Sequence, residues 1–432
     1  MSWNILKILL LLLALFYGAP LHAKEQALLG GVSGIYVPSS EPAPPLHWRA
    51  EWVWDKGKKT ELALFRKGFV LSKKPKYAIL HITASSQYKL YINGEYIRKG
   101  PARSAPHHQS FDNFDIAPLL KRGENVIAVE VHFRPEVVSY QFPARAGLIA
   151  QLHLPGLRIH SDKSWKVLAA PHWSARSPKM ARFHQQVADR VDMGRFPHGW
   201  QSIGFDDGAW EGAVPLLRNA GWPSAQKNAR AVSLTPPWTA LIPRSYPYLE
   251  ERDKRADGLI AGYEIGEYFL PFPRNHARDV LRLRREIAPA LGKQLRSYKR
   301  GSAPLILPQN GEGKLWLLVF DMGRIVNGMP FFDMEGERGV QAEVVAMPFM
   351  VEDRLSYHMV DSDFLDAVTL SGKQDVWQAQ YFKPARFLAL IVKSGSKATE
   401  LRHFGVRELA YPFRLRGGME SRTEGFIAEY MA

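Results

Sequence analysis

Residues 88–97 read Tyr88-Lys89-Leu90-Tyr91-Ile92-Asn93-Gly94-Glu95-Tyr96-Ile97, and this stretch decides the fold. Apolar and polar side chains alternate on both sides of Asn93-Gly94, the period of a strand with one face in a core. Asn and Gly both tolerate positive φ, so the pair predicts a two-residue hairpin. Upstream, Tyr77-Ala78-Ile79-Leu80-His81-Ile82-Thr83 is β-branched and aromatic, as a strand requires. Downstream, the turn Lys121-Arg122-Gly123-Glu124 leads into a further strand, Asn125 to Phe133. Short strands, frequent turns and few helical stretches predict an antiparallel sandwich.

Farther out the pattern loosens and then returns. Residues 155–244 are less regular and hold the turn cluster Gly204-Phe205-Asp206-Asp207-Gly208-Ala209-Trp210. Residues 245–306 read as a mixed connector. Within it Val280, Leu283, Ile287 and Leu291 stand near helical spacing, crowded by Arg278, Arg282, Arg284 and Arg285. From residue 307 strands resume, with Lys314 to Phe320 and the buried-strand run Phe387-Leu388-Ala389-Leu390-Ile391-Val392. The expected fold class is all-β: two antiparallel β-sandwich domains, at 48–244 and 307–418, joined by that connector.

The whole chain has 432 residues, room for two or three domains. It is 46% hydrophobic and 23% charged, a globular composition. Cysteine is absent, which excludes disulfides, thiolate zinc sites and a cysteine nucleophile. Lys7, the apolar run Ile8 to Phe16 and a small residue at Ala23 predict a signal peptide over 1–23. An uncleaved anchor is the alternative. Residues 24–47, with Ser39-Ser40-Glu41-Pro42-Ala43-Pro44-Pro45, read as a linker. The expected location is periplasmic or secreted, with no transmembrane segment after signal cleavage. The net charge of +15 would suggest nucleic acid in the cytosol. In an exported chain no nucleic-acid partner is expected, and acidic polysaccharide or a solvated basic surface takes its place.

The ordered motifs resemble those of bacterial α-L-rhamnosidases. Ser85 to Gly94, Gly100-Pro101-Ala102-Arg103-Ser104, Phe111-Asp112-Asn113-Phe114-Asp115 and Gly123 to Val129 are similar to the family's N-terminal sandwich. Phe205 to Trp210 resembles its FDDSxW turn, and Ile242-Pro243-Arg244 with Glu250-Glu251-Arg252 its PR…EER junction. Phe320-Asp321-Met322-Gly323-Arg324-Ile325-Val326-Asn327-Gly328 resembles its FDFGRExxG strand, and Gly405-Val406-Arg407-Glu408 with Tyr411-Pro412 the end of its second sandwich. The resemblance implies jelly-roll, galactose-binding-like sandwiches. In the family a helical (α/α) barrel follows and carries the catalytic carboxylates. Here residues 419–432 read as a stub of that domain, so no catalytic residue is expected in this chain. The implied function is an exported, non-catalytic portion of a rhamnosidase-like protein that binds carbohydrate or assists glycoside hydrolysis. The alternative is one half of a split α-L-rhamnosidase, active only with a separately encoded catalytic barrel.

Sugar binding is the chemistry left to the residues. A pyranose stacks an apolar face on an aromatic ring and bonds its hydroxyls to Asn, Arg or His. Tyr91, Asn93, Arg103, His107 and His108 cluster around the hairpin and its following loop, and form the expected carbohydrate site. The partner would be a carbohydrate, in the family a rhamnose-containing glycan. Trp173, Trp200 and Trp222 are further stacking candidates, with core packing as the plainer reading. Asp206-Asp207 could be a catalytic pair, but two adjacent carboxylates do not flank a glycosidic bond, so turn capping is expected. Asp361, Asp363 and Asp366 offer Ca²⁺-type oxygens without the Gly and Glu of an EF-hand, and a solvated acidic loop is the expectation. No cofactor is expected, with a structural Ca²⁺ as the alternative. His107-His108 lacks the spaced partners of a zinc site.

Overall fold

The computed structural model describes residues 46–57, 60–103, 109–134, 145–174, 177, 179–181, 184–216, 240–266, 280–282, 304–310, 314–350, 354–356, 358–359 and 362–413. The expected signal peptide, linker and stub lie outside them, apart from residues 46 and 47. Among the described residues the only helical turns are Ala117–Leu119 and Met193–Arg195, both 3-10. No helix among them is long and apolar enough to cross a membrane. The all-β expectation holds.

The first sandwich faces a seven-stranded sheet with a six-stranded one. The seven-stranded sheet runs Val214–Pro215, Val53–Trp54, Leu148–Leu154, Ile79–Ala84, Gln109–Asp115, Leu241–Pro243, with Leu157–His160 also paired to Leu148–Leu154. The six-stranded sheet runs Glu211–Gly212, Lys166–Ala169, Leu62–Leu71, Gly123–His132, Gln87–Ile92, Glu95–Gly100. Asn93 at φ 54° and Gly94 at φ 91° close the predicted hairpin. Tyr88, Leu90 and Ile92 point into the core with Leu80, Ile82, Val129 and Trp165. Lys89 and Tyr91 therefore face the outside of the six-stranded sheet. That outside is itself covered: Trp200 and Trp210 pack on Leu64 and Ala128. From Asn125 to His132 the strand is thus buried on both faces, with Val126 to Val129 as its apolar run.

The second sandwich grows from one ten-stranded sheet. Its spine is the strand Lys314–Glu335, whose register shifts between Asp321 and Val326. Before the shift it pairs Gly258–Gly266 and Lys383–Lys393; after it, it keeps Lys383 to Ala385 and adds Gln374–Gln378 and Thr399–Ala410. One strand thereby serves both layers. Trp316, Leu318 and Phe320 enter the main core with Phe332 and Phe404, while Leu315, Leu317 and Val319 enter a smaller one.

Residues 245–306, expected as a connector, supply strands to this second sheet at Glu250–Arg255, Gly258–Gly266 and Leu305–Leu307. Their charged surface positions, such as Glu250, Arg252 and Asp253, hid the strand pattern. The helical spacing at Val280 is also corrected. Val280–Arg282 is a strand antiparallel to Arg354–Ser356, and the remainder of 276–292 lies outside the described residues. Arg190–Asp192, from the first half of the chain, crosses over to pair in parallel with Leu365–Thr369.

Candidate functional site

The described members of the hairpin set are held by the fold itself. Tyr91 lies edge-on to Tyr96 at 5.6 Å and to Trp200 at 5.7 Å. Burial drives its hydroxyl pKa well up. Asn93 Nδ2 donates to the Leu119 carbonyl at 2.9 Å and to Asn125 Oδ1 at 3.0 Å, and its Oδ1 accepts the Val126 N–H at 2.8 Å. Its amide is spent on the turn. Arg103 is exposed, and its carbonyl accepts from the Tyr246 hydroxyl at 3.0 Å. His107 and His108 lie outside the described residues, as does Trp222. Trp200 is fully buried, and Trp173 Nε1 donates to Glu61 at 3.4 Å. Tyr91 and Asn93 thus share no open sugar-facing surface.

An open concavity does exist elsewhere on the first sandwich. A groove of about 710 Å³ runs along the outer face of the seven-stranded sheet, lined by Tyr77, Ile79, His81, His153 and the turn Leu154 to Arg158. Its size is within the range of small-ligand sites. Strand register builds it: Ile79 pairs with His153, and His153 with Arg158, so their side chains share the outer face. One row further on, His81 pairs with Asn113 and Gln151. That row is roofed by the chain at 47–50, where Gln151 Oε1 accepts from Arg49 N and Ala50 N. The Trp48 ring stands 6.3 Å from His81. The first row stays open, and Tyr77 is 50% exposed beside it.

Burial disfavours the charged form of both groove histidines. Burial lowers the His81 pKa below 6.5 against the raising effect of its 2.5 Å bond to Asn113, with His153 lowering it further. Burial, then Arg158 and His160, lowers that of His153. The His153 Nε2 is buried without a hydrogen-bond partner among the described residues. Sequence reasoning missed this groove because its residues are two apart on strands or sit across a register. The one available signal was the polar His81 and His153 inside otherwise apolar strands.

A second cluster lies where the two sandwiches meet. Lys89 Nζ stands 3.2 Å from Glu130 Oε1, and Gln380 Nε2 donates to the same oxygen at 2.8 Å. Lys99 donates to the Gln380 carbonyl, and the Tyr381 hydroxyl meets His132 Nδ1 at 3.0 Å. Deeper in, Asp189 accepts from Trp377 Nε1 at 3.2 Å and from Gln380 N at 3.1 Å. Asp366 accepts from Asp189 N at 2.8 Å and from Lys383 Nζ at 2.7 and 2.9 Å. Burial, with Asp366 adding repulsion, pushes Asp189 up to about 7. Burial, then Lys89, brings Lys99 down to about 7. Shifts of this kind often mark active sites. Here Asp366 and Lys383 are both 0% exposed, so no glycosidic bond can reach them. This is a structural seam.

Asp366 therefore departs from the expected solvated acidic loop: its carboxylate is the counter-ion of a buried lysine. Asp363 sits in the strand Ser362–Asp363, and Asp361 lies outside the described residues. Among the described residues no group of three His, Asp or Glu is placed to hold a metal ion. Asp206 Oδ1 caps the Gly208 N–H at 2.9 Å, and Asp207 pairs with the buried Arg66 at 2.8 Å. Both carboxylates of the turn are engaged, and Trp210 stacks on Trp200 at 6.2 Å.

The fold defines an all-β protein of two antiparallel sandwiches joined by a buried polar seam. That architecture is similar to the non-catalytic sandwich portion of α-L-rhamnosidases. Residues 73–235 match the family model described as the alpha-L-rhamnosidase N-terminal domain. A curated alpha-L-rhamnosidase of Streptomyces avermitilis is 27% identical over 154 residues, 32% of this chain and 14% of that protein. The GH78 family rhamnosidase of Bacillus sp. GL1 superposes with a TM-score of 0.70 at 19% identity, covering 88% of this chain and 57% of that one. The alpha-L-rhamnosidase of Dictyoglumus thermophilum gives 0.51 at 18% identity, covering 83% and 36%. This chain spans less than two thirds of the length of each.

Proposed function

We propose that this chain is an exported, non-catalytic, carbohydrate-binding part of a rhamnosidase-like glycoside hydrolase system. The groove at Tyr77, His153 and Arg158 carries the reading. It offers what a sugar needs: an exposed aromatic ring at Tyr77, an apolar floor at Ile79, and polar tips at its rim. The similarity of residues 73–235 to a rhamnosidase N-terminal domain supplies the context. The leader at Lys7 and Ile8 to Phe16 supports export.

Two measurements on the purified chain test this. An aryl α-L-rhamnoside should show no hydrolysis, and turnover that survives repurification would overturn the non-catalytic reading. A glycan array should show binding that Tyr77→Ala abolishes; an empty array, or binding indifferent to that change, would remove the groove. Repeating the hydrolysis assay with an added rhamnosidase catalytic domain tests the split-enzyme alternative, for which rate enhancement is the sign.

A further inference from the structure

We propose that the groove selects an acidic glycan, a sugar carrying a carboxylate, with Arg158 as the carboxylate partner and Tyr77 as the stacking ring. The proposal rests on the carbohydrate-binding reading of the groove and names its ligand class.

The polar inventory of the lining decides the sign of the ligand. Arg158 brings a planar fork of N–H donors and no acceptor. None of the lining residues, Tyr77, Ile79, His81, His153 and Leu154 to Arg158, is a carboxylate. A neutral sugar hydroxyl is both donor and acceptor, and sites for it normally offer acceptors as well. Arg158 is the one charged side chain in this lining, and it is a cation with donors only. It matches a ligand group that only accepts, and a carboxylate takes an arginine fork through two oxygens.

The carboxylates near the groove are committed elsewhere. Asp115, paired with Ile79 in the neighbouring strand, accepts from Ala78 N at 2.9 Å and Ala117 N at 3.1 Å. Asp162, beyond His160, accepts from Ser164 N at 2.7 Å. Both are held by backbone N–H groups, and neither lines the groove. The rim is basic: Lys73, Lys74 and Lys76 are exposed on the turn that leads into Tyr77. A basic rim steers anions toward the groove. His153 adds a specific feature, since its buried Nε2 lacks a partner among the described residues. The His153 ring lies beside Arg158 on the same face, because the two residues pair across neighbouring strands. Ile79, paired with His153 on the same outer face, gives the apolar contact a sugar face uses.

The test compares a diglucuronate with its methyl ester, the same skeleton without charge, by calorimetry on the purified full chain. The acid should bind about tenfold tighter than the ester, the worth of a charged bidentate bond. Arg158→Gln should abolish that preference and leave ester binding unchanged, while Tyr77→Ala should weaken both. Arg158 and Tyr77 are exposed, so neither change threatens the fold. Polyglutamate is the control for bulk electrostatics, and inorganic phosphate for a simple anion site; either one competing as well as the uronate would overturn the proposal. Equal binding of acid and ester, still sensitive to Tyr77→Ala, would overturn the acidic class and leave the groove as a sugar site. Binding of neither would sink both readings.

Discussion

Lys383→Met is the sharpest perturbation of the seam. Lys383 and Asp366 are both 0% exposed, and Nζ sits 2.7 and 2.9 Å from the two carboxylate oxygens. Methionine nearly matches lysine in volume, so the change removes charge with little change in packing. It leaves the Asp366 carboxylate beside Asp189 without its hydrogen-bonded cation, and breaking a buried pair this way costs about 3–5 kcal/mol. For a sandwich of this size that is a fall in Tm of about 6–20 °C. Asp366→Asn added to Lys383→Met removes the orphaned charge and can still accept the Asp189 N–H. The double variant should therefore be more stable than Lys383→Met alone. Burial already raises the Asp366 pKa, so without its lysine the group can take up a proton. The cost of Lys383→Met should then shrink as pH falls from 7 toward 5. Urea denaturation of wild type, both singles and the double, at both pH values, measures all of this. A single-variant cost below about 1 kcal/mol, or strict additivity in the double, would refute the argument that burial sets the energy.

Asp189, raised to about 7 in the folded chain from 3.8, binds more protons folded than unfolded between those values. Its contribution is complete below 3.8 and lost as pH rises through 7, so Asp189→Asn should flatten a fall in stability over that window, read by urea titration. Lys99 has the opposite sign: its folded value of about 7 against 10.5 makes stability rise with pH across that range, and Lys99→Met should abolish the rise. Gly405→Ala would place a Cβ 2.2 Å from the Lys254 carbonyl oxygen, so the variant should lose the soluble folded state, seen as loss of cooperative unfolding. Asn93→Ala gives up three hydrogen bonds and a residue tolerant of positive φ; about 2 kcal/mol of stability should go, measured by thermal melting.

Much of the fold was legible because its signals are local. Asn93-Gly94 between alternating runs sets a hairpin whatever surrounds it, and the run at Phe387 can only be a central strand. The strands at Glu250–Arg255 and Gly258–Gly266 were not legible. Their outward positions carry charge, and they become strands because Thr399–Ala410 and Lys314–Glu335 offer unpaired edges. The site was read less well, for a related reason. Tyr91 looked like a sugar platform because alternation puts it on the outside of its sheet. Only tertiary structure reveals that the Trp200 and Trp210 loop covers that outside. Asp366 looked solvated because DSDFLD is polar in sequence, while its carboxylate turns inward to Lys383 from a strand seventeen residues on.

The motifs that carry the family resemblance acquire a physical meaning from their partners. Arg244 of the Pro-Arg junction pairs with Asp112 of the Phe-Asp-Asn motif at 2.6 Å, stacked 4.3 Å above the Tyr248 ring. Asp207 of the Asp-Asp turn pairs with Arg66. Glu251 of the Glu-Glu-Arg run accepts from Tyr96 at 2.9 Å. Arg324 forks onto Glu408 of the Val-Arg-Glu end at 2.6 and 2.7 Å. Each motif supplies one half of a joint between segments distant in sequence. A joint needs both partners of a given chemistry, whereas a core position accepts any apolar side chain of about the right volume. None of these joints opens into the groove. Tyr77, His153 and Arg158 lie outside every motif quoted, so the resemblance speaks for the frame and leaves the proposed groove to be tested on its own residues.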